Sequence, residues 1–341
     1  MIDPTQDLPQ EQAADYQTYT VAGSHREIGH WQGERFPAVG PDRDDMDPDH
    51  YDFARKCLDQ VERYYPGLVE EAEGYAEAAD QPVEDLLWHF CLDAGKPPAH
   101  CSTVGVLTPD GPVLARNYDF FYFEDRRHLV TTHPAGALSH TGIWEGLIGG
   151  RFDGVNEAGV WVSIHGGGTR RPAKATPGLG FHLICRTALE RARSAREAVD
   201  LIVRLPHIAG YNYFVADREA MYVVEAHPER VRVREPKSGI LACTNHPLHP
   251  EMLPLAHTGI AENSRGRLER LLEGARQALA APDPAAVLQA TMRDHTVPVC
   301  GHTDGLATFW SAVCIPGRHH VAYSLGAPCR NAYTPAVWPA V

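Results

Sequence analysis

From Tyr51 onward apolar residues recur at Phe53, Cys57, Leu58, Val61 and Tyr64, the three-and-four spacing of a helix with one buried face. Pro66 opens a second helix through Leu68, Val69, Ala72 and Tyr75, and a third is expected over 82–92. Beyond Cys101 the period changes to that of strands. Short β-prone runs at 102–107, 112–116, 129–132, 142–148 and 159–164 are separated by turns rich in Gly, Pro and Asn. Helices are expected at 180–192 and 195–205, then strands at 212–216, 220–225, 230–234 and 240–244. Two more helices, 263–279 and 284–293, precede a closing hairpin of 307–315 with 319–325 across Pro316-Gly317. No repeat, linker or low-complexity tail divides these parts, and the order predicts an α+β chain of two antiparallel sheets with helices outside, in one domain over 1–341.

Charge and composition narrow the partners. With 341 residues, 43% of them hydrophobic, the chain buries a sizeable core, and its net charge of −13 speaks against nucleic acid and against an anionic membrane surface. A small-molecule substrate fits better, and the sequence selects no oligomeric state, a homo-oligomer included. The opening residues are polar and acidic, and no apolar run approaches the roughly 18–20 residues that span a bilayer, so the expected compartment is the cytoplasm. Eight cysteines lie scattered without a C-x-x-C pair, which argues against a disulfide framework or a zinc ribbon. The 19 histidines include no His-Glu-x-x-His, and Pro247 interrupts His246-x-x-His249, so no metal and no cofactor are expected. Gly166-Gly-Gly168 continues into no phosphate-binding fingerprint, and no G-x-S-x-G elbow marks a serine hydrolase.

The chemistry concentrates at 100–119. Cys101 heads a hairpin whose turn, Thr108-Pro-Asp-Gly111, suits the fixed φ of Pro109 and a positive φ at Gly111. The returning strand brings Arg116-Asn-Tyr-Asp119 back toward Cys101, a cation to lower a thiol pKa and a carboxylate to orient a base. Thr244-Asn-His246 ends a predicted strand, where Asn245 is either a functional amide or a turn former. Asn263 or Ser264 is a plausible N-cap, and local sequence favours solvated arginines in the helix that follows.

Taken in order, Cys101-Ser-Thr, Arg116-Asn-Tyr-Asp119, Gly154-Val-Asn-Glu-Ala-Gly159, Thr244-Asn-His246 and Ser264-x-x-Arg267 resemble the peptidase C45 family of acyl-CoA:6-aminopenicillanic acid acyltransferase-like proteins, within the N-terminal-nucleophile hydrolases. The similarity reaches upstream to Gly23-Ser-His-Arg-Glu-Ile-Gly29 and downstream to the hairpin over 308–328. It implies a four-layer αββα sandwich and a zymogen that cuts itself between His100 and Cys101. Residues 1–100 would become a helical propeptide or α chain, and 101–341 a β chain beginning at the nucleophile.

The resemblance further implies an amidase or acyltransferase acting on linear amide bonds, with a small amide or an acyl-CoA-like thioester as substrate. Cys101 would carry the acyl group as a thioester, its freed α-amine serving as base, and Asn245 would donate to the oxyanion. Asp119 would hold the α-amine, Arg116 would depress the thiol pKa while neutralising Asp119, and Arg267 matches an arginine recurring at this helix start. Asn117, Thr244 and His246 would line the substrate. Two departures stand out: relatives often place glycine before the nucleophile where this chain has His100, and a Ser-Arg pair near the closing hairpin is replaced by Thr303-Asp304. Those departures motivate the alternative of an uncleaved, non-catalytic binding protein with the same fold.

Overall fold

The computed structural model describes residues 15–36, 46–91, 100–121, 126–259, 262–302 and 306–339. Thr303 and Asp304 lie outside them, as does Leu92 at the end of the third expected helix. The N-terminal part contains β1 (Asp15–Gly23), α1 (His25–Gly33), α2 (Pro48–Tyr64), α3 (Gly67–Ala78) and a 3-10 segment at Val83–Phe90. β2 (Ser102–Thr108) and β3 (Gly111–Phe121) form the expected hairpin, with Gly111 at φ +100° in the turn. There follow β4 (Arg126–Pro134), β5 (His140–Trp144), β6 (Asp153–Asn156), β7 (Trp161–Gly166), α4 (Phe181–Arg191) and α5 (Ala195–Arg204). The remainder is β8 (Tyr211–Ala216), β9 (Met221–His227), β10 (Arg230–Arg234), β11 (Ile240–Cys243), α6 (Glu262–Ala280), α7 (Pro284–Met292), β12 (Leu306–Ile315), β13 (His320–Leu325) and β14 (Thr334–Pro335).

Two sheets result, with strand orders β1-β4-β5-β6-β7-β8-β9-β10 and β11-β2-β3-β12-β13-β14. Helices α4 and α5 cover the first sheet, and α6 and α7 cover the second. The alternation along β3 shows which face looks where. Leu114 and Tyr118 join the large cluster between the sheets, whereas Val113 and Ala115 join the smaller one under α6 and α7. This is the expected αββα layering, with two corrections. The first hundred residues are not purely helical, because β1 adds an edge strand rich in Tyr and Thr. That strand pairs with β4 in parallel, so the first sheet is not wholly antiparallel.

The N-terminal helices are locked onto the body. A Cβ added at Gly29 would lie 1.8 Å from the Glu71 carbonyl oxygen, so α1 and α3 cross at a distance only glycine permits. Beneath them Arg186 of α4 donates to Glu71 (3.1 Å) and to Glu190, and Glu190 also meets His25 (2.8 Å) and the Tyr65 hydroxyl.

Burial sets the pH dependence of this fold. Desolvation holds His89 and His207 at about 4 and His182 at about 3, and places His140 and His165 well below the usual range. Each stays neutral in the folded chain while its unfolded counterpart takes a proton below pH ~6.5, so stability falls as pH drops through that value, by up to about 1.4 kcal/mol per pH unit per group. His25 acts oppositely: burial lowers its pKa, but the Glu190 hydrogen bond and charge outweigh that and raise it. These rings outweigh His25 and also Asp119, whose buried carboxyl sits at about 7 and takes up a proton in the folded chain over this window, so urea unfolding at pH 5.5 is expected to give a stability lower than at pH 7.5 by about 3 kcal/mol. Equal stability at the two pH values would contradict the neutral burial of these rings.

Candidate active site

Strand alternation splits the start of β2 between two environments. Cys101 is fully buried in the cluster between the sheets, and Thr103, on the same face, bonds His165 of the opposite sheet (2.7 Å). Ser102 faces the other way, toward α6. The register Thr103 to Arg116 and Ser102 to Asn117 returns the second strand alongside, as the hairpin reading expected.

On the inner face, Arg116 is wholly buried. Its Nη1 donates to Asp153 Oδ2 (2.6 Å) and the Phe152 carbonyl (2.8 Å), and Nη2 donates to the Ile164 carbonyl (2.9 Å). Trp310 Nε1 (2.7 Å) and the Tyr323 hydroxyl (3.0 Å) donate to the same carboxylate. The ion pair of Arg116 is therefore with Asp153 and not with Asp119, a correction to the sequence reading. Asp153 escaped notice because it sits one residue ahead of the glycine-bounded motif that drew attention. Its only local signal is an acid at the head of a short strand.

Asp119 accepts from Thr308 Oγ1 (2.6 Å), which itself accepts from the Gly301 N–H (2.9 Å). Burial is the largest influence on Asp119 and lifts its carboxyl to about 7, against the pull of Arg267, Thr308, His302 and Arg116. Its backbone carbonyl accepts the His100 N–H (3.1 Å). The Cys101 thiol is pushed up to about 11 by burial, with Arg116 as the strongest opposing influence. The thiol is thus protonated at neutral pH, and the cation beneath it moderates a cost set by burial.

On the outer face stands Arg267, buried in the first turns of α6 rather than solvated. Its Nη1 lies 3.0 Å from the His100 carbonyl oxygen, 2.7 Å from that of Cys101 and 2.9 Å from Ser102 Oγ. Nη2 donates to Asn245 Oδ1 (2.9 Å), and Nε donates to Asn263 Oδ1 (2.5 Å). Asn245 Nδ2 donates to the Gly166 carbonyl (3.2 Å), and its backbone N–H donates to Ser264 Oγ (3.0 Å). Ser264 also lies 2.8 Å from His246 Nδ1, and its carbonyl accepts from Thr244 Oγ1 (3.1 Å). Thr244 and His246 thus pin α6 to the end of β11. Ser264 lies within the helix's first turn and anchors that junction, so it is not the N-cap expected. His249 Nδ1 accepts the Glu251 N–H (3.2 Å), whereas His246 Nδ1 meets Ser264.

Cys101, Arg116, Asp119, Asn245 and Arg267 are accordingly brought around one peptide bond. Asn117 is not: its side-chain amide donates to the Met292 and Val299 carbonyls, both at 2.9 Å, on the helix-covered face. Asp153 and Thr308 escape notice in the sequence because their partners lie far away along the chain, while Ser102 and Ser264 stand out there only as motif members, Ser264 also as an N-cap.

The family model described as acyl-coenzyme A:6-aminopenicillanic acid acyl-transferase matches residues 106–325, more than half of the chain. The chain belongs to this family. The matched span holds Arg116, Asp119, Asn245 and Arg267 and begins just after Cys101. Among curated relatives, the 40 kDa form of acyl-coenzyme A:6-aminopenicillanic-acid-acyltransferase from Emericella nidulans is 30% identical over 238 residues, covering 64% of this chain and 63% of that protein. Solved structures similar to this one include a Caenorhabditis elegans N-acylethanolamine-hydrolyzing acid amidase ortholog (17% identity, TM-score 0.44, 64% of this chain and 93% of that one). Penicillin V acylase from Agrobacterium tumefaciens is another (18% identity, TM-score 0.45, 69% and 84%). Among the described residues no helix is long and apolar enough to cross a membrane.

Asp153→Ala would leave the Arg116 charge unpaired in a dry interior and is expected to cost about 3–5 kcal/mol. Thr308→Ala, which removes a single hydroxyl from Asp119, should cost about 1–3 kcal/mol. The shift of the urea midpoint at constant m-value measures both. A loss under about 1 kcal/mol in Asp153→Ala would mean that the pair does not bridge the sheets as described.

Proposed function

We propose that this family member is a self-processing cysteine amidohydrolase or acyltransferase whose nucleophile is Cys101. The observation that carries the reading is Arg267 Nη1 at 3.0 Å from the His100 carbonyl oxygen. In the first step Cys101 Sγ attacks the His100 carbonyl carbon, and the negative charge that develops on its oxygen faces a guanidinium already in place. The C–N bond then breaks, the thiol proton passes to the departing amine, and a thioester joins His100 to the Cys101 sulfur. Water cleaves that thioester, giving a His100 carboxylate, a free thiol and an α-amine on Cys101. The N–H of His100 held by the Asp119 carbonyl, and its C=O held by Arg267, fix the bond to be cut from both sides. This fixation compensates for a bulkier residue where relatives often have glycine.

After the cut, the α-amine of Cys101, with an ordinary pKa of roughly 8, serves as the base for its own thiol. The thiol attacks the carbonyl of a small N-acyl amide or thioester, the leaving group departs with a proton, and the acyl-thioester passes its acyl group to water or an amine. Asn245, its Oδ1 anchored by Arg267 and one amide N–H held by the Gly166 carbonyl, offers its second amide N–H to the developing oxyanion. Asp119, oriented by Thr308, holds the α-amine.

Intact-mass analysis is expected to show fragments of 1–100 and 101–341 for the native sequence and one full-length chain for Cys101→Ala. Arg267→Ala, with its fold checked by circular dichroism, should slow the cut about 100-fold. A native chain that stays whole, with thiol-independent activity or none on a panel of N-acyl amides, would sink the proposal in favour of an uncleaved binding protein.

A further inference from the structure

Next to the site just described, the loop between α7 and β12 and the turn after β13 gather four side chains that the acyl-transfer reading does not use. One ligand atom from each of His295, Cys300, His302 and Cys329 lies within 4.8 Å of all the others. Cys300 Sγ is 3.4 Å and Cys329 Sγ 3.2 Å from His302 Nε2, and the rings of His295 and His302 stand 5.3 Å apart at 75°. A tetrahedral zinc ion with Zn–S of about 2.3 Å and Zn–N of about 2.0–2.1 Å has ligand-to-ligand edges of about 3.3–3.8 Å. The two sulfur–nitrogen distances are already close to such edges.

The scaffold holding these donors is built independently of them. Asn117 anchors the loop at the Met292 and Val299 carbonyls, and the Cys300 N–H donates to the Asp294 carbonyl (3.0 Å). Asp294 receives Arg270 Nε (2.7 Å), the Thr296 N–H (2.8 Å) and the Thr296 hydroxyl (2.6 Å). Arg293 Nε reaches the Pro328 carbonyl (2.9 Å), tying the Cys329 turn to the same loop. Cys300 and His302 are buried, Cys329 is half-buried and His295 is exposed, so an ion has a way in from solvent.

We propose that His295, Cys300, His302 and Cys329 form a closed Cys2His2 site for one tetrahedral zinc(II) ion. Two thiolates and two imidazoles are the donor set this ion takes in structural sites, and two thiolate charges cancel its own. Binding forms two Zn–S and two Zn–N bonds and releases one proton from each thiol. Because four protein donors complete the tetrahedron, the ion is structural and leaves no position for substrate. Its effect reaches the catalytic centre through Gly301, which sits between two ligands and exchanges hydrogen bonds with Thr308, the residue that holds Asp119 (carbonyl to Thr308 N–H 3.0 Å, N–H to Thr308 Oγ1 2.9 Å). The proposal revises the expectation of no metal, which rested on helix-borne and ribbon-type spacings, and it stands whether or not Cys101 is a nucleophile.

Elemental analysis of the full-length protein, isolated from zinc-supplemented cells under reducing conditions and desalted, is expected to give close to one zinc per chain. Replacement by cobalt(II) should produce the intense thiolate-to-cobalt absorption of a tetrahedral site. Cys329→Ser and His295→Ala, both at accessible positions, should each lower retained zinc at least tenfold, whereas exposed His257→Ala should retain it. Titration of metal-stripped, reduced native protein with zinc(II) against a chromogenic chelator tests binding without any variant. Failure of that native protein to bind zinc or to develop the cobalt–thiolate band would overturn the proposal. So would unchanged zinc content in both ligand variants, or a Cys300–Cys329 disulfide in the freshly isolated chain.

Discussion

A guanidinium and a carboxylate withdrawn from water join the two sheets at their centre. Arg116 of β3 and Asp153 of β6 belong to different sheets, both are fully buried, and they lie 2.6 Å apart. Such a pair gains little over well-packed apolar side chains, but removing one partner is costly, so its main effect is to enforce one arrangement of the layers. Arg116 also donates to the Phe152 and Ile164 carbonyls, and Asp153 also accepts from Trp310 and Tyr323. Trp310 in turn stacks on Tyr118 at 3.9 Å. A permanent positive charge is thereby held beneath Cys101.

The same strand is approached by a second buried arginine from its opposite face. Successive side chains of a strand point to opposite sides, so Cys101 enters the inter-sheet layer while Ser102 meets Arg267. One peptide unit is therefore held between Arg116, acting on the side chain inside, and Arg267, acting on the carbonyls outside. Arg267 itself is aligned by Asn263 and Asn245, and Ser264 ties its helix to β11. The polar residues of the centre thus act as one connected arrangement in which each side chain's position is set by another, which is what preorganised charge stabilisation requires.

The described residues before Cys101 are part of this body. β1 pairs with β4 along its whole length, α1 meets α3 at glycine distance, and His25, Tyr65 and Glu71 converge on Arg186 and Glu190 beneath them. Cutting the bond before Cys101 would leave those contacts intact, because none of them depends on chain continuity at that point. Under the proposed processing, both fragments would remain one folded unit.

Much of this architecture is legible in the chain because local patterns generate it. Helical periodicity located α2 through α7 to within a few residues, and the hairpin of β2 and β3 follows from Thr108-Pro-Asp-Gly111. β1 was not legible: an edge strand held by parallel pairing with a segment more than a hundred residues away has no local turn to announce it. The ordered motifs, likewise, singled out Cys101, Arg116, Asp119, Asn245 and Arg267, since chemistry restricts residue type. Pairing was decided by tertiary structure alone. Only the stacking of the sheets gives Arg116 to Asp153, turns Asn117 toward α7, buries Arg267 against His100 and Cys101, and gathers His295, Cys300, His302 and Cys329. Residue type and local period are properties of short stretches, whereas the partner of a buried charge is set by which distant strand or loop shares its layer.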